Sequence, residues 1–188
     1  PDGIKMAVSY MRVNGNKIST HIAFYNFGSA GQMELNNQVG ELNVDDVLAP
    51  QIFFCDNSTA VAVRTDGFTV FSGSQSPKEK KTVKFDQEII STFHDGNRIG
   101  FVFDGGDSGH KYLMKVYNTG GKNTMQKYFD LQYNSITLQK DKIVLFNEKE
   151  FAIYKLNGQK TFQGKYRKPI QNVLSIRGFR KYMVITED

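Results

Sequence analysis

The chain has 188 residues, of which 39% are hydrophobic and 13% aromatic, and its formal net charge at pH 7 is +5. This length is enough for one domain with an apolar core, and the composition excludes an intrinsically disordered segment. The 17 glycines against four prolines favour many tight turns over long helices. The 24 Lys and Arg residues are spread along the chain, which favours a solvated lysine-rich surface over a nucleic-acid interface.

The single cysteine, Cys55, stands in the apolar run of residues 52–55, where we expect a buried and unreactive thiol. One thiol excludes an internal disulfide, and the sequence has no CxxC pair for zinc or redox chemistry. No apolar run reaches the length of about 18 residues that a membrane-spanning helix needs, and no signal peptide is visible. The start, Pro1-Asp2-Gly3, resembles the tip of a turn, so we expect partner strands upstream in a longer protein.

The chain repeats one series of four elements in a constant order. The first is a half-buried strand of alternating pattern, predicted over residues 51–54, 88–93, 135–138 and 172–176. The second is an apolar run, typical of a strand buried on both faces, over residues 6–10, 60–63, 99–103, 143–146 and 182–185. The third is an aromatic strand ending in a turn, over residues 22–28, 68–73, 113–120 and 151–158. The fourth is a polar strand, over residues 32–44, 78–85, 122–129 and 159–166.

The spacing of the aromatic strands gives the repeat length. Tyr25, Phe71, Tyr117 and Tyr154 align at steps of 46, 46 and 37 residues, and WD40-like propeller blades repeat at about 40 to 50 residues. A gradient from buried inner strands to a polar outer strand suits a four-stranded blade. We therefore predict an all-β, β-propeller-like fold with antiparallel four-stranded blades, about four to five of which are present, as a single propeller domain or the C-terminal part of one. The predicted blades cover residues 1–46, 47–86, 87–131, 132–168 and, incompletely, 169–188.

The polar fourth strands hold the densest groups of basic residues. These are Lys78, Lys80, Lys81 and Lys84, and later Lys160, Lys165, Arg167 and Lys168. Lysines on an edge strand discourage pairing with a second sheet, which explains these groups without nucleic acid. The first and last blades are incomplete, and open sheet edges invite self-association.

The residues offer few candidates for chemistry. None of His21, His94 and His110 stands at ligand spacing from another, so no metal is predicted. The tetrad Gly106-Asp107-Ser108-Gly109 resembles the nucleophile motif of chymotrypsin-like proteases, but no segment supplies the base, and we reject protease activity. Residues 104–109 offer too few acidic positions for a calcium loop, so a glycine-rich hairpin tip is favoured. With no Walker loop and no GxGxxG, no cofactor is predicted.

A catalytic alternative depends on the turns of the innermost strands. Asp56, His94, Asp95 and Asp141 fall on these turns. Convergence of these side chains at one end of the inner strands would suit a hydrolase or lyase at the mouth of a central channel. The sequence itself shows no catalytic constellation, so we assign no catalytic, cofactor-binding or metal-binding residue.

Two segments resemble a family of bacterial proteins of unknown function, DUF5711. The first comprises residues 3–10 and 22–28 and then Gly31-Gln32, the second comprises residues 99–104, 107–108, 110–112 and 115–118, and residues 181–186 fit as well. The resemblance covers most of the chain. It implies a protein of Firmicutes with a short inner N-terminus, one transmembrane helix that lies outside this chain, and an extracytoplasmic propeller. It carries over no site residue.

We therefore expect a non-catalytic binding or scaffolding module of the bacterial cell envelope, whose partner is a protein or a cell-wall glycan. The hydrolase or lyase described above is the alternative. Nucleic-acid binding, suggested only by the positive charge, is the third and disfavoured interpretation.

Overall fold

A computed structural model describes residues 3–28, 37–176 and 181–187. In these ranges, 17 strands form five antiparallel sheets, and the one helical element is a single 3-10 turn at Gly106–Ser108. The prediction of an all-β chain with four-stranded antiparallel sheets is confirmed. The chain divides into two compact units, Pro1–Ile89 with Thr119–Gly121, and Ile90–Asn118 with Lys122–Asp188.

The first unit contains two sheets. Sheet 1 has the order β1-β2-β3, from β1 (Lys5–Asn14), β2 (Lys17–Asn26) and β3 (Gln38–Asp45). Sheet 2 has the order β4-β5-β6-β7, from β4 (Gln51–Phe54), β5 (Thr59–Arg64), β6 (Gly67–Ser72) and β7 (Lys78–Lys84). A cluster that includes Phe24 from β2 and Ala62 and Phe71 from sheet 2 forms the apolar core between the sheets.

The second unit contains three sheets. Sheet 3 comprises β8 (Ser91–Asp95), β9 (Arg98–Asp104), β10 (Tyr112–Asn118) and β11 (Asn123–Phe129). Sheet 4 comprises β12 (Ser135–Gln139), β13 (Lys142–Phe146), β14 (Glu150–Lys155) and β15 (Lys160–Lys165). Sheet 5 pairs β16 (Ile170–Ser175) with β17 (Tyr182–Thr186). One apolar cluster packs sheet 3 on sheet 4, and another packs sheet 4 on sheet 5.

Each four-stranded sheet shows the predicted gradient of burial. The two middle strands are almost wholly buried, as in β5 and β6, because they are covered on both faces. The fourth strand of sheet 2, β7, exposes Lys78, Lys80 and Lys81 to solvent. A charged outer strand of this kind resists pairing with a further sheet, in agreement with the interpretation of these lysines from the sequence.

A β-bulge recurs at one position of the repeat. In sheets 2 to 4, the register between the third and fourth strands shifts at an aromatic residue of the third strand, and in sheet 1 the register between β2 and β3 shifts in the same way at an aromatic residue of β2. These residues are Tyr25, Phe71, Tyr117 and Tyr154. The four aromatic residues aligned from the sequence therefore occupy equivalent positions. Because a bulge changes the direction in which nearby side chains point, this position controls what each sheet presents at its outer strands.

The burial of the outermost apolar runs was predicted wrongly. Residues 6–10 and 182–185 were expected to be buried on both faces, but Met6 is 43% exposed and Met183 is 51% exposed. The reason is their place in the sheets. In the described part of the chain, β1 is an edge strand and β17 belongs to a two-stranded sheet. Their counterparts β5, β9 and β13 are second strands of complete four-stranded sheets.

One strand begins later than predicted. Residues 88–93 were expected to form the first strand of sheet 3, but β8 begins at Ser91, which pairs with Val102. Before Ser91, the backbone joins β9 by one bond, from Ile90 N to Val102 O at 2.8 Å. Of the other predicted segments, residues 32–36 of the first polar strand, the pair Gly31-Gln32 and the start Pro1-Asp2 lie outside the described residues.

Candidate functional site

An open cavity of ≈ 340 Å³ lies in the second unit, beside the outer strands of sheets 3 and 4. β11 and the residues after it form one wall, and β14 and β15 form the other. The polar residues that line the cavity are His110, Lys127, Tyr128, Asp130, Tyr154, Lys160 and Gln163. Small-molecule sites usually have a volume of about 300 to 1,000 Å³ and a few convergent polar groups, so this cavity is the candidate site.

A hydrogen-bonded pair, His110 and Asp130, forms one end of the cavity. His110 Nδ1 lies 2.9 Å from Asp130 Oδ2, and the other carboxylate oxygen accepts a hydrogen bond from Lys111 N at 3.0 Å. The bond from His110, and then the bond from Lys111, hold the pKa of Asp130 below its usual range. The imidazole ring also stacks on Tyr128, with ring centroids 5.7 Å apart. Both side chains of the pair are about half exposed.

The glycine-rich loop between β9 and β10 positions His110. A Cβ at Gly105 would lie 1.8 Å from His110 O, so only glycine allows the backbone to close at this point. The Asp104 carboxylate accepts a hydrogen bond from Gly106 N at 2.7 Å, and Ser108 Oγ accepts one from His110 N at 3.2 Å. Residues 104–109 therefore form a hairpin loop, as the sequence indicated, and the Ser108 hydroxyl contacts the His110 backbone.

Tyr154 forms the inner wall of the cavity. Its ring packs in the core between sheets 3 and 4, and the residue is only 4% exposed. Within the described ranges, no group hydrogen-bonds its hydroxyl. Burial raises the pKa of Tyr154, and the nearby Asp130 carboxylate raises it further. In those ranges, every side-chain N or O that is shielded from solvent has a hydrogen-bond partner. The Tyr154 hydroxyl has no such partner, so it must be open to the cavity that Tyr154 lines.

Two of the acidic residues proposed from the sequence meet at a corner between sheets 3 and 4. Asp95 Oδ2 accepts a hydrogen bond from Lys140 N at 2.7 Å, and Arg98 donates to Lys140 O at 3.1 Å. Asp141, the next residue, pairs with the Lys142 ammonium, and this bond lowers the pKa of Asp141. These contacts hold a tight turn at Lys140, whose φ is +58°. The two carboxylates therefore fix a loop.

The remaining histidines have different surroundings. Burial lowers the pKa of His94, an effect that the Asp95 carboxylate beside it opposes. His21, in the first unit, is 6% exposed; its Nδ1 lies 2.5 Å from Asn43 Oδ1 and its ring packs on Tyr10. In the ranges that the structure describes, no three His, Cys, Asp or Glu side chains are placed to hold a metal ion.

Asp56, the remaining catalytic candidate, forms a turn in the first unit. Its carboxylate accepts hydrogen bonds from Ser58 N at 2.7 Å and from Ser58 Oγ at 2.9 Å. The backbone bond from Ser58 is the main cause of the lowered pKa of Asp56. This carboxylate shapes the β4–β5 turn and raises the pKa of its neighbour, Cys55.

The Cys55 thiol should react slowly with electrophiles. Burial first, and the Asp56 carboxylate second, raise its pKa to about 11. At pH 8 the thiolate fraction is then on the order of 0.1%, so alkylation by iodoacetamide should be on the order of 100-fold slower than that of a free thiol. The rate should rise tenfold per pH unit up to about pH 10. Alkylation followed by mass spectrometry tests this, with the urea-unfolded chain as the fast control. A native rate within threefold of that control would contradict it.

The sequence did not single out the cavity residues. The sequence pattern marks His110 only as a possible metal ligand and Tyr154 only as a repeat aromatic, and it does not mark Asp130. What sets Tyr154 apart becomes visible only once the strand register is known. Its equivalent in sheet 3, Tyr117, is hydrogen-bonded by its register partner Asn123, whereas the register partner of Tyr154 is Lys160. This difference between two repeats marks sheet 4 as the unusual one.

Comparisons with known proteins agree on the fold. Three similar solved structures are BBS1N in complex with ARL6DN, Sqt1 of Saccharomyces cerevisiae and BamB of Moraxella catarrhalis. Their TM-scores are 0.54, 0.55 and 0.54, and their sequence identities are 9%, 12% and 10%, in that order. Each match covers 96% of this chain, and it covers 61%, 56% and 60% of the respective similar chain. These are β-propeller proteins, so the predicted propeller-like fold is confirmed. The chain spans 56–61% of their length.

Two further comparisons concern the sequence and the helices. No curated protein sequence matches the chain. Among the described residues there is no helix with the length and apolar character to cross a bilayer. The whole chain, residues 1–188, matches the model of DUF5711, a family of unknown function. The chain therefore belongs to the DUF5711 family.

Proposed function

We propose that this chain is a non-catalytic binding module of the bacterial cell envelope, whose partner is a protein or a cell-wall glycan. The observation that carries the proposal is the cavity of the second unit. Its walls are paired strands, and it presents the hydroxyl of the largely buried Tyr154 near a carboxylate that two hydrogen bonds hold in place. Fixed polar groups in an open cavity suit recognition, because little side-chain entropy is lost on binding.

The hydrogen bonds of the other acidic residues favour binding over catalysis. The Asp95 and Asp141 carboxylates are engaged by Lys140 N and by the Lys142 ammonium, in a turn. Ser108 Oγ accepts a hydrogen bond from the backbone of His110, although a nucleophile requires a base close to its hydroxyl. A hydrolase or lyase therefore has less support than a binding module.

We propose the envelope location from the family resemblance, and the kind of partner from a protein of similar fold and from the cavity. The resemblance to DUF5711 implies a membrane-anchored protein with an extracytoplasmic propeller, and we propose that location here. BBS1N, a protein of similar fold, was solved in complex with ARL6DN, which supports a protein as one kind of partner for this chain. The cavity supports a glycan as the other.

Sedimentation with purified peptidoglycan sacculi tests the proposal, together with in situ crosslinking in bacterial membranes. We expect saturable binding to the sacculi, or one envelope protein crosslinked at stoichiometric yield and confirmed with the purified pair. The chain incubated with sacculi should release no soluble fragments, since we propose no catalysis. Absence of both kinds of binding, or release of fragments at a rate proportional to the amount of protein, would overturn the proposal.

A further inference from the structure

We infer that the cavity of the second unit binds one sugar ring of a glycan and recognises it through its hydroxyl groups. This inference rests on the proposed binding function and narrows it to one class of ligand. Its basis is the set of hydrogen-bonding groups around the cavity, above all the hydroxyl of Tyr154.

The Tyr154 hydroxyl lacks a partner because of a difference between two repeats. At the equivalent bulge of sheet 3, Asn123 hydrogen-bonds the hydroxyl of Tyr117. In sheet 4, Lys160 stands in the place of Asn123, and its ammonium donates to Gln163 Oε1 at 2.7 Å. The hydroxyl of this largely buried residue reaches the open cavity, so its hydrogen-bond partner there must come from outside the protein. A ligand in the cavity would supply that partner.

The groups around this hydroxyl require both donors and acceptors from the ligand. Asp130 is a pure acceptor in its ionised form, and its two bonds from His110 and Lys111 leave lone pairs open. Lys127 and Lys160 are pure donors, and Tyr154 can donate or accept. A hydroxyl group donates and accepts at once, so a ligand with several neighbouring hydroxyls satisfies all of these side chains.

The charges disfavour other small ligands. The Asp130 carboxylate would repel an anion in the cavity, and Lys127 and Lys160 would repel a cation there. A neutral polyol meets neither repulsion. The half-buried ring of Tyr128, which stacks on His110, adds a flat apolar surface against which the C–H face of a sugar can pack. The volume of ≈ 340 Å³ is in the usual range for a small ligand.

Saturation-transfer NMR with two neutral oligosaccharides, chitotetraose and maltotetraose, tests the inference on the whole chain. We expect at least one of them to bind. Tyr154→Phe removes a hydroxyl that has no protein partner, so the fold should be kept, while affinity should fall by about 3- to 10-fold. Lys160→Asn should lower affinity as well, because the introduced asparagine can hydrogen-bond Tyr154 as Asn123 does Tyr117. Tyr166→Phe, the same change at an exposed tyrosine outside the cavity, should have no effect.

Three results would overturn the inference. These are no binding of either oligosaccharide, equal affinities in Tyr154→Phe and Tyr166→Phe, or binding of polyphosphate in place of the neutral probes. The same two variants in the sacculus and crosslinking assays separate the two proposals. If Tyr154→Phe keeps full saturable binding there, the binding function stands and the sugar site does not.

Discussion

Replacing Gly67 with alanine is expected to lower the free energy of unfolding by about 3–5 kcal/mol. Gly67 is the first residue of β6, directly after the β5–β6 turn, and has a φ of +146°, a backbone conformation that residues with a side chain rarely adopt. A Cβ there would lie 2.0 Å from Val83 O and 3.0 Å from Lys84 Cα. These are backbone atoms of β7, which pairs with β6 on this side, so they cannot move without breaking the ladder.

The matched control is Gly15→Ala in the turn between β1 and β2. Gly15 also has a positive φ, +61°, but a Cβ there would meet nothing within 4 Å. Only the conformational strain remains, so we expect a loss of about 1 kcal/mol. Urea denaturation followed by circular dichroism measures both variants. If Gly67→Ala lowers the free energy of unfolding no more than Gly15→Ala does, then β7 does not approach Gly67 as closely as described.

The repeat could be predicted because its signals are local. A continuous apolar run, an aromatic strand and a glycine turn follow one another within about 40 residues, and each depends on neighbours in the chain. The four aligned aromatic residues even mark the bulges, since the register shifts at Tyr25, Phe71, Tyr117 and Tyr154. The exposure of β1 and β17 could not be predicted in this way. The burial of a strand depends on which other strands lie beside it, and the composition of an apolar run carries no information about its neighbours.

The cavity could not be predicted for a related reason. His110 and Asp130 are 20 residues apart, and they meet because β10 and β11 form a hairpin between them. Whether Tyr154 keeps a free hydroxyl depends on the residue opposite it across a bulge. That opposite residue can be identified only when the register is known, and an insertion of one residue changes it. Sequence patterns locate the strands, whereas a site between strands depends on the register.

Replacing Phe24 with alanine should lower the free energy of unfolding by about 3–5 kcal/mol, the usual cost of removing a buried aromatic ring. Phe24 is 1% exposed in β2, and its ring lies 4.8 Å from that of Phe71 and 6.5 Å from that of Phe54. Both partners belong to sheet 2, so the ring joins the two sheets of the first unit. The cavity left by alanine would lie between two paired sheets, which cannot collapse around it.

Phe27→Ala is the control in the same segment. Phe27 follows β2, is 50% exposed, and stacks on Tyr25 at 6.3 Å. Because its ring is already half in water, we expect a loss of about 0.5 kcal/mol. Hydrogen exchange should show the larger effect of Phe24→Ala in the amides of β2, β5 and β6, which surround the ring. Equal losses in the two variants would mean that Phe24 does not form the core between sheets 1 and 2. The first unit would then depend on its backbone ladders for stability, and Gly67→Ala alone would remain strongly destabilising.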